Sequence, residues 1–203
     1  MKNIEKREAI VNAALVLIAE NGFHEAPMAM IANKAGVGTG TIYCHFKNKD
    51  ILIQEVFSKV RGKIINVLLE GYSVDRPIRE RFMHLGTRLL KYLIEHPVYF
   101  RFIEQYVNSP YGVTFRREKF LNESSEQSDV FEILFDQGLT QHIIKDFPLP
   151  VHFALAFGPL ISIARDHVLG FVTLDATIVD KIIEACWDSI NRQDVNKLSS
   201  LYY

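Results

Sequence analysis

The sequence predicts an all-α chain of about nine helices. Apolar residues recur at three- and four-residue intervals through most segments, the spacing of a buried helix face. Those segments are separated by strong helix breakers: Asn21-Gly22, Gly71, His96-Pro97, the run Asn108 to Gly112, and the loop Asp146 to Pro150. Within Pro27 to Lys49 the pattern shortens to two brief helices around a tight turn. Together these divide the chain into an N-terminal three-helix unit over residues 1–48 and a helical bundle over 49–203.

The first helix runs from Asn3 to Glu20, with Ile10, Ala13, Ala14, Leu17 and Ile18 on its apolar face, and Asn21-Gly22 ends it. Pro27 suits the first turn of the second helix, where its missing N–H costs nothing, and Ile31 and Ala32 form that helix's small apolar face. Gly36 supplies the turn, since it accepts positive φ without a Cβ clash, and Val37 is the apolar residue just past it. Gly38 or Thr39 then caps a third helix, in which Ile42 and Phe46, four apart, point inward. Thr39, Gly40, Tyr43, Cys44 and Lys47 are left on the outer side, with Lys49 just beyond. Short polar groups, an aromatic ring and lysines on an exposed helix suit phosphate and base-edge contacts in a major groove. This is helix-turn-helix logic.

The string from Ala19-Glu20-Asn21-Gly22-Phe23 through Gly36-Val37, Gly40-Thr41-Ile42-Tyr43, His45-Phe46 and Lys49-Asp50 resembles the DNA-binding domain of the TetR/AcrR family of bacterial transcriptional regulators. It departs from the usual pattern at Gly38, where a capping Ser or Thr is common, and at Cys44, where His, Tyr or Arg is more usual. The resemblance covers the first fifty-odd residues; the rest fits in length and helical texture. It implies a homodimer that reads a palindromic double-stranded operator, most often as a repressor, and is released by a small hydrophobic ligand. The DNA-contacting residues it implies are Met28, Thr39, Gly40, Thr41, Tyr43, His45, Lys47 and Lys49. Tyr43 and His45 would reach phosphates, and Thr39 to Thr41 would lie nearest the base edges. Lys2, Lys6 and Arg7 either approach the DNA backbone or are ordinary solvated charge.

Asn48 can cap a long fourth helix from Lys49 to about Glu70, whose apolar set is wide enough to face two neighbours. Pro77 opens a fifth with the stripe Ile78, Phe82, Leu85, Leu89, Tyr92 and Leu93, and Pro97 to about Val107 forms a sixth. Val113 to Ser128 is polar and charged, and its composition fits a helix or a loop equally. Helical periodicity resumes over Asp129–Leu139. The last two helices, about Val151–Phe171 and Asp175–Asn191, are the least polar part of the chain. Their apolar surface exceeds what one core easily hides, and the resemblance assigns this pair to a dimer interface through Leu160, Ala164, Val168, Ile182, Cys186, Trp187 and Ile190. The rings of the body are either plain core or the wall of a cavity. The family implies a ligand there, with Phe57, Phe100, Phe131, Phe135, Phe157 and Ile161 as candidate contacts. Arg165-Asp166-His167, inside the apolar eighth segment, is either an interface cluster or a polar anchor for that ligand.

Composition excludes several classes. With 23 Lys+Arg against 24 Asp+Glu in 203 residues, the chain is not built to coat nucleic acid indiscriminately, though a few well-placed cations can still serve a specific reader. Cys44 and Cys186 form no CxxC or zinc-type spacing, which fits a reduced, cytoplasmic chain without a disulfide framework. The charged N-terminus is not a signal sequence, and the apolar run Phe153 to Ala164 is too short to span a bilayer. Gly36 to Thr41 lacks the lysine and glycine spacing of a phosphate loop, and no HExxH or GxSxG is present. No catalytic residue, cofactor or metal is expected. The alternative to a DNA reader is a small-molecule sensor of the same fold with no operator binding of its own.

Overall fold

The structure, a computed structural model, describes residues 3–121 and 130–192. Among them are ten helices and no strand: α1 (Asn3–Asn21), α2 (Met28–Lys34), α3 (Thr39–His45), α4 (Lys49–Leu69), α5 (Ile78–Glu95), α6 (Pro97–Val107), α7 (Pro110–Leu121), α8 (Val130–Thr140), α9 (Leu149–Val168) and α10 (Ala176–Ile190). They form two compact units, Met1–Val67 with Tyr92–Lys119, and Leu68–Lys91 with Phe120–Tyr203.

The first unit is built on α1. Its Ile10, Ala14 and Ile18 are fully buried, at the helical spacing read from the sequence, and meet Ile31 of α2, Ile42 of α3, and Leu52, Val56 and Val60 of α4. Phe46, which follows α3, fills the same core, and α6 packs along α1 and adds Phe102 and Tyr106. Each such aliphatic side chain stabilises by about 1.5–3 kcal/mol when removed from water, so a few turns of helix suffice to hold the small head. Gly36 adopts φ +67°, and the amides of Gly36 and Val37 donate to the carbonyls of Asn33 and Ala32 at 3.0 Å each. These bonds satisfy the last carbonyls of α2 while the chain turns. Pro27 stands one residue earlier than expected: it is the residue before α2, with φ −67° and ψ 154°. Gly38 occupies the cap position of α3 and offers no side chain to it. Asn48 caps α4 as expected, its Oδ1 accepting from the Ile51 amide at 2.9 Å.

The tenth helix is α7. The expected break after α6 is shorter than the sequence suggested, for Pro110 already lies in the new helix. Gly112 makes this sharp return possible, because a Cβ there would sit 2.4 Å from the Tyr106 carbonyl oxygen and 2.5 Å from that of Val107. The polar stretch left open by its composition is therefore helical as far as residue 121; residues 122–128 of it lie outside the described part.

In the second unit, Phe82 of α5 lies between Phe157 of α9 (ring centroids 5.8 Å) and Trp187 of α10 (5.3 Å). Phe131, Phe135 and Phe153 extend this ring cluster towards α8. α9 and α10 pack side by side, and α10 is capped by Asp175, whose carboxylate accepts from the Ile178 amide at 2.8 Å. The segment after α8 is tied to the end of α10 by Lys145 N–H to Ile190 O at 2.8 Å and Arg192 N–H to Ile143 O at 2.9 Å.

Five of the seven residues expected to meet a partner chain are covered by their own. Leu160, Ala164, Cys186, Trp187 and Ile190 are buried within the single chain, and burial pushes the Cys186 thiol up to about 11. In the single chain they are core residues, while Val168 and Ile182, the other two expected at a partner, are only partly covered. The face that α9 and α10 leave open carries Ala154, Gly158, Pro159, Ser162, Ile178, Lys181 and Ala185.

Candidate nucleic-acid interface

The short helix α3 is held by its inner face alone. Ile42 and Phe46 are fully buried, which turns Thr39, Gly40, Tyr43, Cys44 and Lys47 outward. Tyr43 is 53% exposed, unusual for so large a ring in a packed head. Thr41 and His45 flank this row half-buried. A Cβ built on Gly40 meets nothing within 4 Å, so another backbone could approach α3 closely at that point.

Two expected contacts are placed differently. Met28 is only 8% exposed and packs into the head core with Ile31 and Ala32, so it is not available to a groove. Lys49 is half-buried and donates one hydrogen bond to the Phe23 carbonyl; burial lowers its pKa, against the opposing pull of Asp50. Its ammonium therefore ties the end of the first turn to the start of α4, with its remaining donors unassigned by any contact. Cys44 is exposed and in no disulfide.

Arg7 has a structural partner besides solvent. Its guanidinium lies 4.8 Å from the centroid of Phe46 and pairs with Glu55 of α4. That hydrogen bond holds the Glu55 carboxyl below its usual range and raises the arginine further. Lys59 adds bonds to Glu8 and Asn12 of α1, each 3.0 Å. These pairs clasp α1 to α4 behind α3. Lys6 is partly covered and Lys2 lies outside the described residues.

The ring residues expected to touch a ligand separate between the two units. Phe57 stacks on Tyr106 and edges onto Phe115, and Phe100 is buried. Phe131, Phe135 and Phe157 belong to the ring cluster of the second unit, where Ile161 is half-buried. In that unit a pocket of about 330 Å³ opens beside α8 and the start of α9, lined by Glu132, Ile133, Phe135, Asp136, Leu139, Leu149 and His152. His152 is fully buried against the Phe135 ring. Its Nε2 lies 2.8 Å from the Lys145 carbonyl, which can only accept, so Nε2 carries the proton; Nδ1 has no partner. His167, at the far end of α9, has Nδ1 3.2 Å from the Val172 carbonyl, a local turn contact.

Arg81, Tyr72, Gln137 and His152 are not singled out by any motif in the sequence. Arg81 alone carries a local signal, since it stands three residues after Ile78 and four before Leu85, on the buried stripe of α5. No group of three or more His, Cys, Asp or Glu able to hold a metal occurs among the described residues, and no described helix is long and apolar enough to cross a membrane.

The comparisons with known proteins agree with this fold over most of the chain. Residues 10–56 match the family described as bacterial regulatory proteins, tetR family, and residues 77–191 match the tetracyclin repressor-like C-terminal domain. An uncharacterized HTH-type transcriptional regulator of Haemophilus influenzae is 25% identical over 185 residues, 91% of this chain and 95% of its own. The structure of a putative TetR-family regulator from Vibrio parahaemolyticus is 30% identical with a TM-score of 0.73, over 93% of this chain and 99% of that one. The regulator FadR of Bacillus subtilis, solved in complex with stearoyl-CoA, shares the fold at 20% identity and a TM-score of 0.71, over 90% and 98% of the two chains. These relatives are transcriptional regulators and not enzymes. The chain belongs to the TetR family of bacterial transcriptional regulators.

Proposed function

We propose that this regulator is a ligand-responsive repressor that binds a palindromic operator as a homodimer and is released by a small hydrophobic molecule. Residues 1–48 would read DNA, and residues 49–203 would sense the ligand and dimerise. The observation that carries the reading is the outward row of α3, with Tyr43 exposed above a buried Ile42 and Phe46. That row holds no Arg, Asn or Gln before Lys47, so it offers few of the bidentate base contacts worth about 1–3 kcal/mol each. Specificity would then rest on methyl contacts of Thr39 and Thr41, backbone approach at Gly40, and DNA shape. Tyr43, His45, Lys47 and the amino end of α4 at Lys49 would hold phosphates.

Two copies of α3 must lie about one DNA turn apart, ~34–36 Å, to read two half-sites. The small residues on the open face of α9 and α10, Ala154, Gly158, Ser162 and Ala185, would let the same helices of a second chain come close. A ring-rich second unit supports an apolar ligand, and the FadR complex with stearoyl-CoA supports a ligand with a long apolar part. To move the dimer from almost wholly competent to almost wholly incompetent, the ligand must prefer one state by about 10⁴-fold.

The test is to incubate the purified chain with sheared genomic DNA and sequence what it retains, with sedimentation of the chain alone alongside. An inverted repeat common to the retained fragments, from a protein that sediments as a dimer, is expected. Featureless retention by a folded dimer would leave the sensor without operator binding as the better account.

A further inference from the structure

Among the described residues, the second unit holds a buried positive charge with no carboxylate paired to it. Of the three arginines on α5, the exposed Arg79 and the half-exposed Arg88 each have a carboxylate, Glu184 and Glu70 respectively. Arg81, only 1% exposed, has none. Its partners are neutral: Nε donates to the Tyr72 hydroxyl at 2.8 Å and Nη1 to Gln137 Oε1 at 2.5 Å, while the guanidinium carbon lies 5.5 Å from the Tyr72 ring centroid. Nη2 is buried and makes no hydrogen bond. A lysine so placed could shed its proton, but a guanidinium cannot, so the charge stays. Burying an unpaired charge is among the costliest arrangements a core can hold. Stability alone would put the carboxylates where the charge is buried, yet they sit beside the exposed arginines.

We propose that Arg81 is the anchor of an anion site in the second unit, taking the carboxylate or phosphate head of an amphipathic acid whose apolar part lies against the neighbouring rings. Tyr72 and Gln137 hold the guanidinium plane through Nε and Nη1, and Nη2 keeps its two N–H donors for an acidic head group. Phe82, the next residue on α5, is buried against Phe157 and Trp187, so one helix carries both the buried cation and part of the ring cluster. The inference deepens the ligand-release reading by naming the ligand's charge, and it rests on this unit being the sensor.

The test uses the full chain without DNA, so a failure of operator binding would not obscure it. Thermal unfolding is followed with four probes of equal chain length below their aggregation limits: decanoate, decyl phosphate, decanol and decyltrimethylammonium. One or both acids should raise the midpoint by several degrees, the stronger of the two identifying the head group, while the alcohol and the cation do not. Equal shifts by all four, or none by either acid, would overturn the proposal on the unmodified protein alone. Arg81→Met, checked for its helical circular dichroism, should melt at or above the wild type without ligand and bind the preferred acid at least tenfold more weakly. If Arg81→Met binds that acid within twofold of wild type, or if it unfolds while Arg81→Lys keeps wild-type stability and acid binding, Arg81 is a structural residue and the proposal fails.

Discussion

Phe57 of α4 and Tyr106 of α6 lie face to face, their ring centroids 3.8 Å apart and their planes 2° from parallel. Tyr106 is buried in the same core as Ile10 and Ile42, so the stack joins α4 to the framework that carries α3. A double-mutant cycle on Phe57→Ala and Tyr106→Ala should give a coupling of about 0.5–1.5 kcal/mol beyond the burial terms. Tyr106→Ala alone should cost about 3–5 kcal/mol, as large aromatic truncations in cores do. Denaturant unfolding of the four proteins measures both, and additive losses would show the stack to be incidental.

Two glycines should respond oppositely to alanine. At Gly112 the new methyl would meet backbone carbonyl oxygens at 2.4 and 2.5 Å, so Gly112→Ala should destabilise by about 1–3 kcal/mol or more. Gly40 has open space around it within α3, where alanine is the better helix former by about 1 kcal/mol. Gly40→Ala should therefore leave the melting point unchanged or raised, while weakening DNA binding. A loss of stability at Gly40 would show that it is needed by the fold and not by the partner.

Burial first, and then its hydrogen bond to Asp50, push the Tyr111 phenol up from its ordinary value near 10 to about 12. The folded state thus holds this proton more tightly than the unfolded chain. The stabilisation is complete below pH 10 and is lost as the pH rises through 12. The unfolding midpoint should fall across that window, and fall less steeply in Tyr111→Phe. Spectroscopic titration of phenolate absorbance on the folded protein gives the same ionisation directly.

A bulky cation on the open face of the last two helices should separate a dimer without unfolding the chain. Ala185→Arg is predicted to sediment as a monomer with wild-type helical content, since Ala185 is exposed in the single chain. Trp187→Ala, by contrast, removes a buried ring from beside Phe82 and should cost about 3–5 kcal/mol whatever the oligomeric state. An Ala185→Arg dimer as tight as wild type would move the interface elsewhere.

Local signals in the sequence were enough for some elements. The Asn48 cap placed the start of α4, and the His96-Pro97 pair placed the start of α6 at Pro97. The inward pair Ile42 and Phe46 gave the orientation of α3, because a helix of seven residues has room for only one buried face. Other features depend on distant neighbours that local patterns do not show. Leu160, Ala164, Cys186, Trp187 and Ile190 form apolar stripes whose period is the same whether their own chain or a partner covers them. The polar α7 has no periodicity to distinguish it from a loop, and its sharp entry depends on Gly112 meeting α6. Met28 could have been assigned to the core, since Met28, Ile31 and Ala32 fall at i, i+3 and i+4. Arg81 was passed over because charge on an apolar stripe looks like an interruption until its burial is seen.

On the reading proposed above, the exposed face of α3 reads a defined duplex. The most direct test of that reading is selection of sequences from a random duplex pool by the purified chain, at low and at moderate salt. We expect an inverted repeat with half-sites about one turn apart, bound about tenfold more weakly by Tyr43→Ala, the worth of one charge-assisted hydrogen bond. Tyr43→Ala should fold as well as wild type, since the ring is exposed. Recovery of no motif at either salt from a folded protein, or an unchanged motif bound equally by Tyr43→Ala, would contradict the account.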